Sequence, residues 1–225
     1  MTGNNYRELI GLLQYIALAT HPDISYAINK LAQFLNNPGQ AHLEAATRVL
    51  HYLKGTKKWT LNLGGPIANI AGFTDSDWGA DCDDWKSIWA YIFRMGNGAI
   101  SWKLKKQTSV ALSSVEAEYM AMCQAGKEAI WLTGLLEDFG INLQSPIVVF
   151  SDSQGALALA KNPVFHPRSK HIAIQYHFTR ELVLHNRIAI DYVSTKVMVA
   201  DILTKPLPKP QHISLTEMMG VFERI

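Results

Sequence analysis

Ala71-Gly-Phe-Thr-Asp75-Ser-Asp77-Trp-Gly79 is the stretch on which the reading of the chain turns. Small and apolar residues lead into Thr74-Asp75, and a polar turn containing Gly79 follows. That pattern predicts a short strand that ends near Asp75 and holds a carboxylate at its tip. One acid at a strand end says little. Three more stand at the edges of readable elements: Glu118, Asp152 and Asp201. If the fold brings the four together, they repel one another unless cations sit between them. Such a cluster is what a two-metal phosphodiester-cleaving site requires.

The residues downstream of Asp75 fill in the sheet. Asp81 to Lys86 reads as a charged turn and Ser87 to Met95 as a second strand, rich in Trp89, Tyr91, Ile92 and Phe93. Gly96-Asn-Gly98 turns it into a third strand, Ala99 to Lys103. Val110 to Leu112 reads as another short extended piece. A long helix follows from Ser114 to Phe139. Ser113-Ser-Val-Glu116 has the form of a capping box, which gives Glu116 a structural task and leaves Glu118 without one. Glu118 shares a helical face with Met122, Ala125, Ala129 and Leu132. A carboxylate there is costly unless something positive meets it.

Pro146 to Phe150 reads as a fourth strand, with Ser151-Asp152-Ser153 at its end. Helices are expected over Gln154 to Lys161 and Arg168 to His185, a fifth strand over Ile188 to Val193, and a short helix at Ala200 to Thr204. An intervening helix makes the crossover to the fourth strand parallel. Pro206, Pro208 and Pro210 read as breaks that open a tail. The fold class is α/β: a mixed five-stranded sheet with flanking helices.

Upstream, Tyr6 to Leu53 has a helical period, with Leu9, Leu12, Leu13 and Ile16 in the first helix. Asn36-Asn-Pro38-Gly39 stops a second helix, and Leu43, Ala46, Val49, Leu50 and Leu53 share a face of a third. His42 and His51 read as exposed helix residues. Gly64-Gly65-Pro66 is the clearest boundary. The expected division is a small helical segment, 1–64, an α/β domain, 65–208, and a tail, 209–225.

A net charge of +2 permits nucleic-acid binding without demanding it. Cys82 and Cys123 lie outside any C-x-x-C pattern and read as free thiols in a reducing compartment. No apolar run is long enough to span a bilayer. Leu9 to Thr20 reads as a helix rather than a leader, since Glu8 and Gln14 interrupt the charge and apolar pattern that a leader needs.

Phe73-Thr-Asp75, Ala117-Glu-Tyr119, Ser151-Asp-Ser153 and Ala200-Asp201, in this order, resemble the four-carboxylate site of the ribonuclease H fold. The wording around them narrows the resemblance. Ile100-Ser-Trp-Lys103, Lys105-Lys-Gln107, Ala111-Leu-Ser-Ser114, Ala158-Leu-Ala-Lys-Asn162, Lys170-His-Ile172 and Ala200-Asp-Ile-Leu-Thr-Lys-Pro206 look like the ribonuclease H region of copia-type retrotransposon Pol polyproteins. Tyr6-Arg7, Leu9-Ile-Gly11, Pro22-Asp-Ile24 and Leu53-Lys-Gly55 resemble the thumb- or connection-like segment that joins the reverse transcriptase to that region. The family usually has an acidic residue where Ala173 stands, a basic one where Gln175 stands, and acidic and polar residues where Lys196-Val-Met-Val199 stands.

The resemblance implies that Asp75, Glu118, Asp152 and Asp201 hold two magnesium ions, with manganese able to substitute. It also implies that the substrate is the RNA strand of an RNA–DNA hybrid. The partners it implies are the hybrid and the polymerase portion of the same polyprotein. The location it implies is cytoplasmic, in a virus-like particle, or nuclear, and not secreted. Trp102, Lys103, Lys105 and Lys106 read either as phosphate contacts or as an ordinary exposed hairpin edge. Lys170 and His171 either approach the hybrid or pack the helix. His166, His171, His177 and His185 have no zinc-ligand spacing. Asp77, Asp81, Asp83 and Asp84 read as a solvated loop, with Asp77 at most supporting the ligands. The alternative to an active nuclease is a folded but catalytically impaired, nucleic-acid-binding remnant with the same residues. An integrase-type strand transferase would need a later glutamate that has no counterpart here.

Overall fold

The computed structural model describes residues 3–65, 70–81, 83–161 and 170–223. In chain order they form α1 (Gly3–Ala19), a 3-10 turn (Pro22–Ile24), α2 (Ser25–Ala32), α3 (Gln40–Gly55), β1 (Trp59–Leu61), β2 (Ile70–Ser76), β3 (Ile88–Met95) and β4 (Gly98–Lys106). Then come α4 (Ser114–Asp138), β5 (Ile147–Ser151), α5 (Gln154–Lys161), α6 (Lys170–Leu184), β6 (Ile188–Tyr192), a second 3-10 turn (Thr195–Val197), α7 (Asp201–Thr204), α8 (Lys209–Met218) and β7 (Val221–Glu223).

The large sheet has the order β4-β3-β2-β5-β6. β2, β3 and β4 form an antiparallel meander, while β5 and β6 join parallel to β2 and to each other. The parallel pairings need crossovers, which α4 and then α5 with α6 supply. The expected ribonuclease H-like fold, a mixed five-stranded sheet with flanking helices, is therefore present. β3 is buried along its first six residues because both its faces are covered. Trp89, Tyr91 and Phe93 meet Tyr119, Met122, Ala125, Ala129 and Leu132 of α4 in one core. Ala90 and Ile92 meet Met198, Val199, Ile202, Leu203, Leu215 and Met219 in a second. Gly72 lies opposite Phe93, and a β-carbon there would come within 2.5 Å of the ring, so the bulky core residue depends on glycine in the next strand.

Several expectations need correction. Val110 to Leu112 forms no strand; it is the irregular approach to α4. The stretch expected to be a tail instead folds as α8 and β7, and Leu215, Met219 and Val221 are buried in the second core. Pro210 sits in the first turn of α8, where a missing N–H has no partner to lose. β7 pairs with β1 in a two-stranded ribbon. The start of the first expected strand, 67–69, lies outside the described residues, as does Cys82. Cys123 is a buried free thiol.

The amino-terminal helices have their own core of Tyr6, Ile10, Leu13, Ala17, Ile28, Leu31, Ala46 and Val49. Leu12 and Leu50 point outward instead of joining it. His42 is half-buried rather than exposed: it stacks on Phe34 and accepts the Gly39 N–H that opens α3. The helices dock on the sheet domain through specific contacts. The Trp102 indole donates to the Ala17 carbonyl (3.0 Å), and His212 of α8 donates to the Asp23 carbonyl (3.1 Å). Tyr52 donates to Asp23 Oδ2 (2.6 Å) and its ring stands edge-on to His212. Among the described residues, no helix is long and apolar enough to cross a membrane.

Candidate active site

Asp75 is the penultimate residue of β2 and is fully buried. The Thr204 hydroxyl donates to its Oδ2 and the Lys205 ammonium to its Oδ1 (3.1 Å). Glu118 lies on α4, whose start is fixed by the Glu116 N–H donating to Ser113 Oγ (3.1 Å). The Glu116 carboxylate accepts the Leu112 N–H (2.9 Å), one residue before the expected arm of the capping box. It is held by that bond, which leaves Glu118 as the acid that reaches the strand ends. Glu118 Oε1 accepts the Ser76 N–H (3.3 Å), whereas its Oε2 is buried with no hydrogen-bond partner among the described residues.

Asp152 follows β5 directly and is half-buried. Its Oδ2 accepts the Thr195 hydroxyl (2.6 Å). Asp201 opens α7, is buried, and accepts the Lys205 ammonium on Oδ1 (2.9 Å). One oxygen each from Asp75, Glu118 and Asp152 lies within 4.8 Å of the others. Asp201 is joined to Asp75 through Lys205. The structure thus brings three of the four acids around one point and sets the fourth beside them. The orphan oxygen of Glu118 and the all-carboxylate donor set suit a hard divalent cation.

The electrostatics point the same way. Burial, followed by the charges of Asp75 and Asp152, pushes the Glu118 carboxyl up from 4.5 to about 10. Burial and Asp75 raise Asp201 from 3.8 to about 6, against the pull of Lys205. Burial alone would lower the Lys205 ammonium, but Asp75 and Asp201 outweigh it and hold the proton more firmly than usual.

A testable pH dependence follows. An acid whose folded pKa lies above its unfolded value binds more protons when folded, so its stabilisation is complete below the unfolded pKa and lost as pH rises. The metal-free protein should therefore lose stability from pH 4.5 towards about 10 through Glu118, and from 3.8 to about 6 through Asp201. Each kcal/mol lost lowers the melting temperature by roughly 2–4 °C in a chain of this size. Melting curves in chelator between pH 5 and 9 check this; a flat or rising profile would refute it.

Thr195, Thr204 and Lys205 were not singled out from the sequence. Thr204 and Lys205 fall three and four residues after Asp201, which is helical neighbour spacing and a usable signal. Thr195 had none. The acidic loop differs from expectation. Asp77 is buried, accepts the Ile88 N–H, and burial raises its carboxyl to about 6. Asp81 is also buried and pairs with Lys106 (2.6 Å), which in turn reaches Asp84 (2.8 Å). Lys106 is thereby committed to two acids, and Trp102 to α1, rather than standing free for phosphate or base. Lys103 and Lys105 are exposed. The side chains of Lys170 and His171, and all of His166, lie outside the described residues; His177 and His185 are on or next to α6.

No family model matches the chain. It is 43% identical over 217 residues to the retrovirus-related Pol polyprotein from transposon RE1 of Arabidopsis thaliana, covering 96% of this chain and 15% of that one. It is 41% identical over 216 residues to the retrovirus-related Pol polyprotein from transposon TNT 1-94 of Nicotiana tabacum, covering 96% of this chain and 16% of that one. The chain thus spans about a sixth of the length of these relatives. Among solved structures, the foamy viral protease-reverse transcriptase in complex with RNA/DNA hybrid aligns with 92% of this chain and 26% of its own. Its TM-score is 0.53 at 16% identity, a likeness of fold.

Proposed function

The chain belongs to the retrovirus-related Pol polyproteins of copia-type transposons, and on that premise we propose that it is their ribonuclease H region, hydrolysing the RNA strand of RNA–DNA hybrids. The observation that carries this reading is the convergence of Asp75, Glu118 and Asp152, with Glu118 Oε2 buried and unpartnered. Asp75, Glu118, Asp152 and Asp201 would hold two divalent ions, magnesium with manganese as a substitute. When bound, such ions supply an activated water and stabilise the leaving 3′ oxygen.

The remaining work falls to the chain's own side chains. The Ser76 N–H orients Glu118, the Thr204 hydroxyl and Lys205 orient Asp75, and the Thr195 hydroxyl orients Asp152. Met198 and Val199 are fully buried, so the segment before Asp201 is anchored in the second core rather than free to swing. Its apolar side chains do no acid–base work. Slow turnover is the consequence. Of the described residues proposed to contact nucleic acid, Lys103 and Lys105 remain exposed and unpaired with Asp81 or Asp84, so hybrid binding should be weak and should fade with salt. The polymerase portion of the polyprotein is the proposed supplier of further grip.

The test is cleavage of a hybrid labelled on its RNA strand, with an Asp75→Asn variant in parallel. Magnesium-dependent cleavage is expected from the parent, none from the parent in chelator, and none from the variant. Equal cleavage by the variant would refute the site. Retained hybrid binding without cleavage at any magnesium or manganese concentration would favour the impaired, nucleic-acid-binding remnant.

A further inference from the structure

The four carboxylates fall into two unlike halves. Asp75, Glu118 and Asp152 bring oxygens within 4.8 Å of one another, and Glu118 Oε2 among them has no partner within the described residues. Asp75 and Asp201 differ, because a cation already stands between them. Lys205 Nζ is 3.1 Å from Asp75 Oδ1 and 2.9 Å from Asp201 Oδ1, and both carboxylates are almost wholly buried. The ammonium is tethered, since it belongs to the residue that closes α7, four positions after Asp201. The second distance is that of a charge-assisted hydrogen bond, and Asp75 gains a further donor from Thr204.

A divalent ion and an ammonium carry like charge and would compete for the same two oxygens. Both need the oxygens that Lys205 already occupies, and like charge disfavours holding the two there together, so one must leave for the other to enter. The Lys205 side chain is 36% exposed, so it has an outward route that the buried acids lack.

We propose that Lys205 is a built-in competitor for one of the two cations. In the resting protein a single divalent ion enters the Asp75–Glu118–Asp152 half, and a second enters between Asp75 and Asp201 only when Lys205 swings out. This deepens the two-metal reading above and rests on it. Lys205 is a positioning residue in this scheme: it neutralises a buried carboxylate pair until an ion replaces it. The freed ammonium would then meet the phosphates of a bound nucleic acid, which makes full ion loading and substrate binding mutually supportive.

The experiment is Mn2+ binding to the full chain, without nucleic acid, followed by calorimetry. Wild type should bind one ion, with a second at least about tenfold weaker, the scale on which groups around a metal's ligands alter its affinity. Lys205→Met should bring the second ion to within a few-fold of the first. Lys205→Arg keeps a tethered cation and should behave like wild type. Lys205→Met leaves two buried carboxylates unpaired, so its melting is recorded alongside. If it is unfolded in chelator, Mn2+ should refold it with two ions bound, against one tight ion for Lys205→Arg. Two ions of equal affinity in wild type, or an unchanged second affinity in Lys205→Met, would overturn the role of Lys205 while leaving the metal site intact. No Mn2+ binding by any of the three proteins would overturn both.

Discussion

Glu118→Gln should abolish metal-dependent hybrid cleavage while leaving the metal-free fold at least as stable as the parent. The two halves of that result have one cause. Burial and the charges of Asp75 and Asp152 make the neutral carboxyl the favoured form of Glu118 near neutral pH. Glutamine has the same shape, is neutral, and keeps an oxygen to accept the Ser76 N–H. It cannot become an anion, however, and a bound cation needs the anion. The parent must shed that proton to bind metal, so its affinity for divalent ions should rise with pH, while the variant's should not. Cleavage should fall by at least about a hundredfold, since even groups behind a metal's ligands cost 10–100-fold. Glu116→Gln is the internal control. It weakens the bond to Leu112 N–H at a helix start, should cost about 1 kcal/mol, and should bind metal normally. Variant cleavage within tenfold of the parent, or a clear loss of metal-free stability, would show that Glu118 is a structural acid.

Gly220→Val, outside the site, should be strongly destabilising. Gly220 has φ +83°, and a β-carbon there would lie 2.5 Å from the Asn97 carbonyl oxygen and 2.7 Å from Gly98 Cα. Both obstacles are backbone and cannot rotate aside. Its own carbonyl accepts from the Asn62 amide (2.8 Å) and the Asn62 side chain (3.1 Å). Adjacent Met219 accepts the Ala99 N–H (2.8 Å). A side chain here would therefore prise β7 from β1 and both from the β3–β4 hairpin. Left-handed strain of roughly 1–2 kcal/mol and overpacking of about 1–3 kcal/mol make a loss of ~2–5 kcal/mol. That is a large share of the roughly 5–15 kcal/mol of a typical domain. Urea unfolding measures it; a midpoint unchanged from the parent would refute the packing argument.

Much of the site was legible because its acids sit where local pattern is strongest. Asp75 and Asp152 follow apolar strand runs, and Glu118 interrupts an apolar helical face that is otherwise buried. What escaped notice is non-local. β1 and β7 are three residues each and carry no period of their own. Three prolines suggested a tail because a break signal does not say that a helix starts at the same place. Trp102 beside lysines has the composition of a nucleic-acid contact, but its partner, Ala17, is 85 residues away. Asp81 reads as solvated until Lys106 is found across the loop.

The ribbon of β1 and β7 also sets an order of events during synthesis. Asn62 and Gly220 are bonded across 158 residues. At about 5–20 residues per second, β1 emerges roughly 8–30 s before its partner. Until then the second core lacks Leu215, Met219 and Val221, and one face of β3 and β4 is only partly covered, by Met198, Val199, Ile202 and Leu203. Closure of so long a loop late in folding is slow, and the waiting sheet face is open to association with other chains. A ribosome-stalled chain ending near residue 208 should accordingly bind a chaperone, while the released full chain should not.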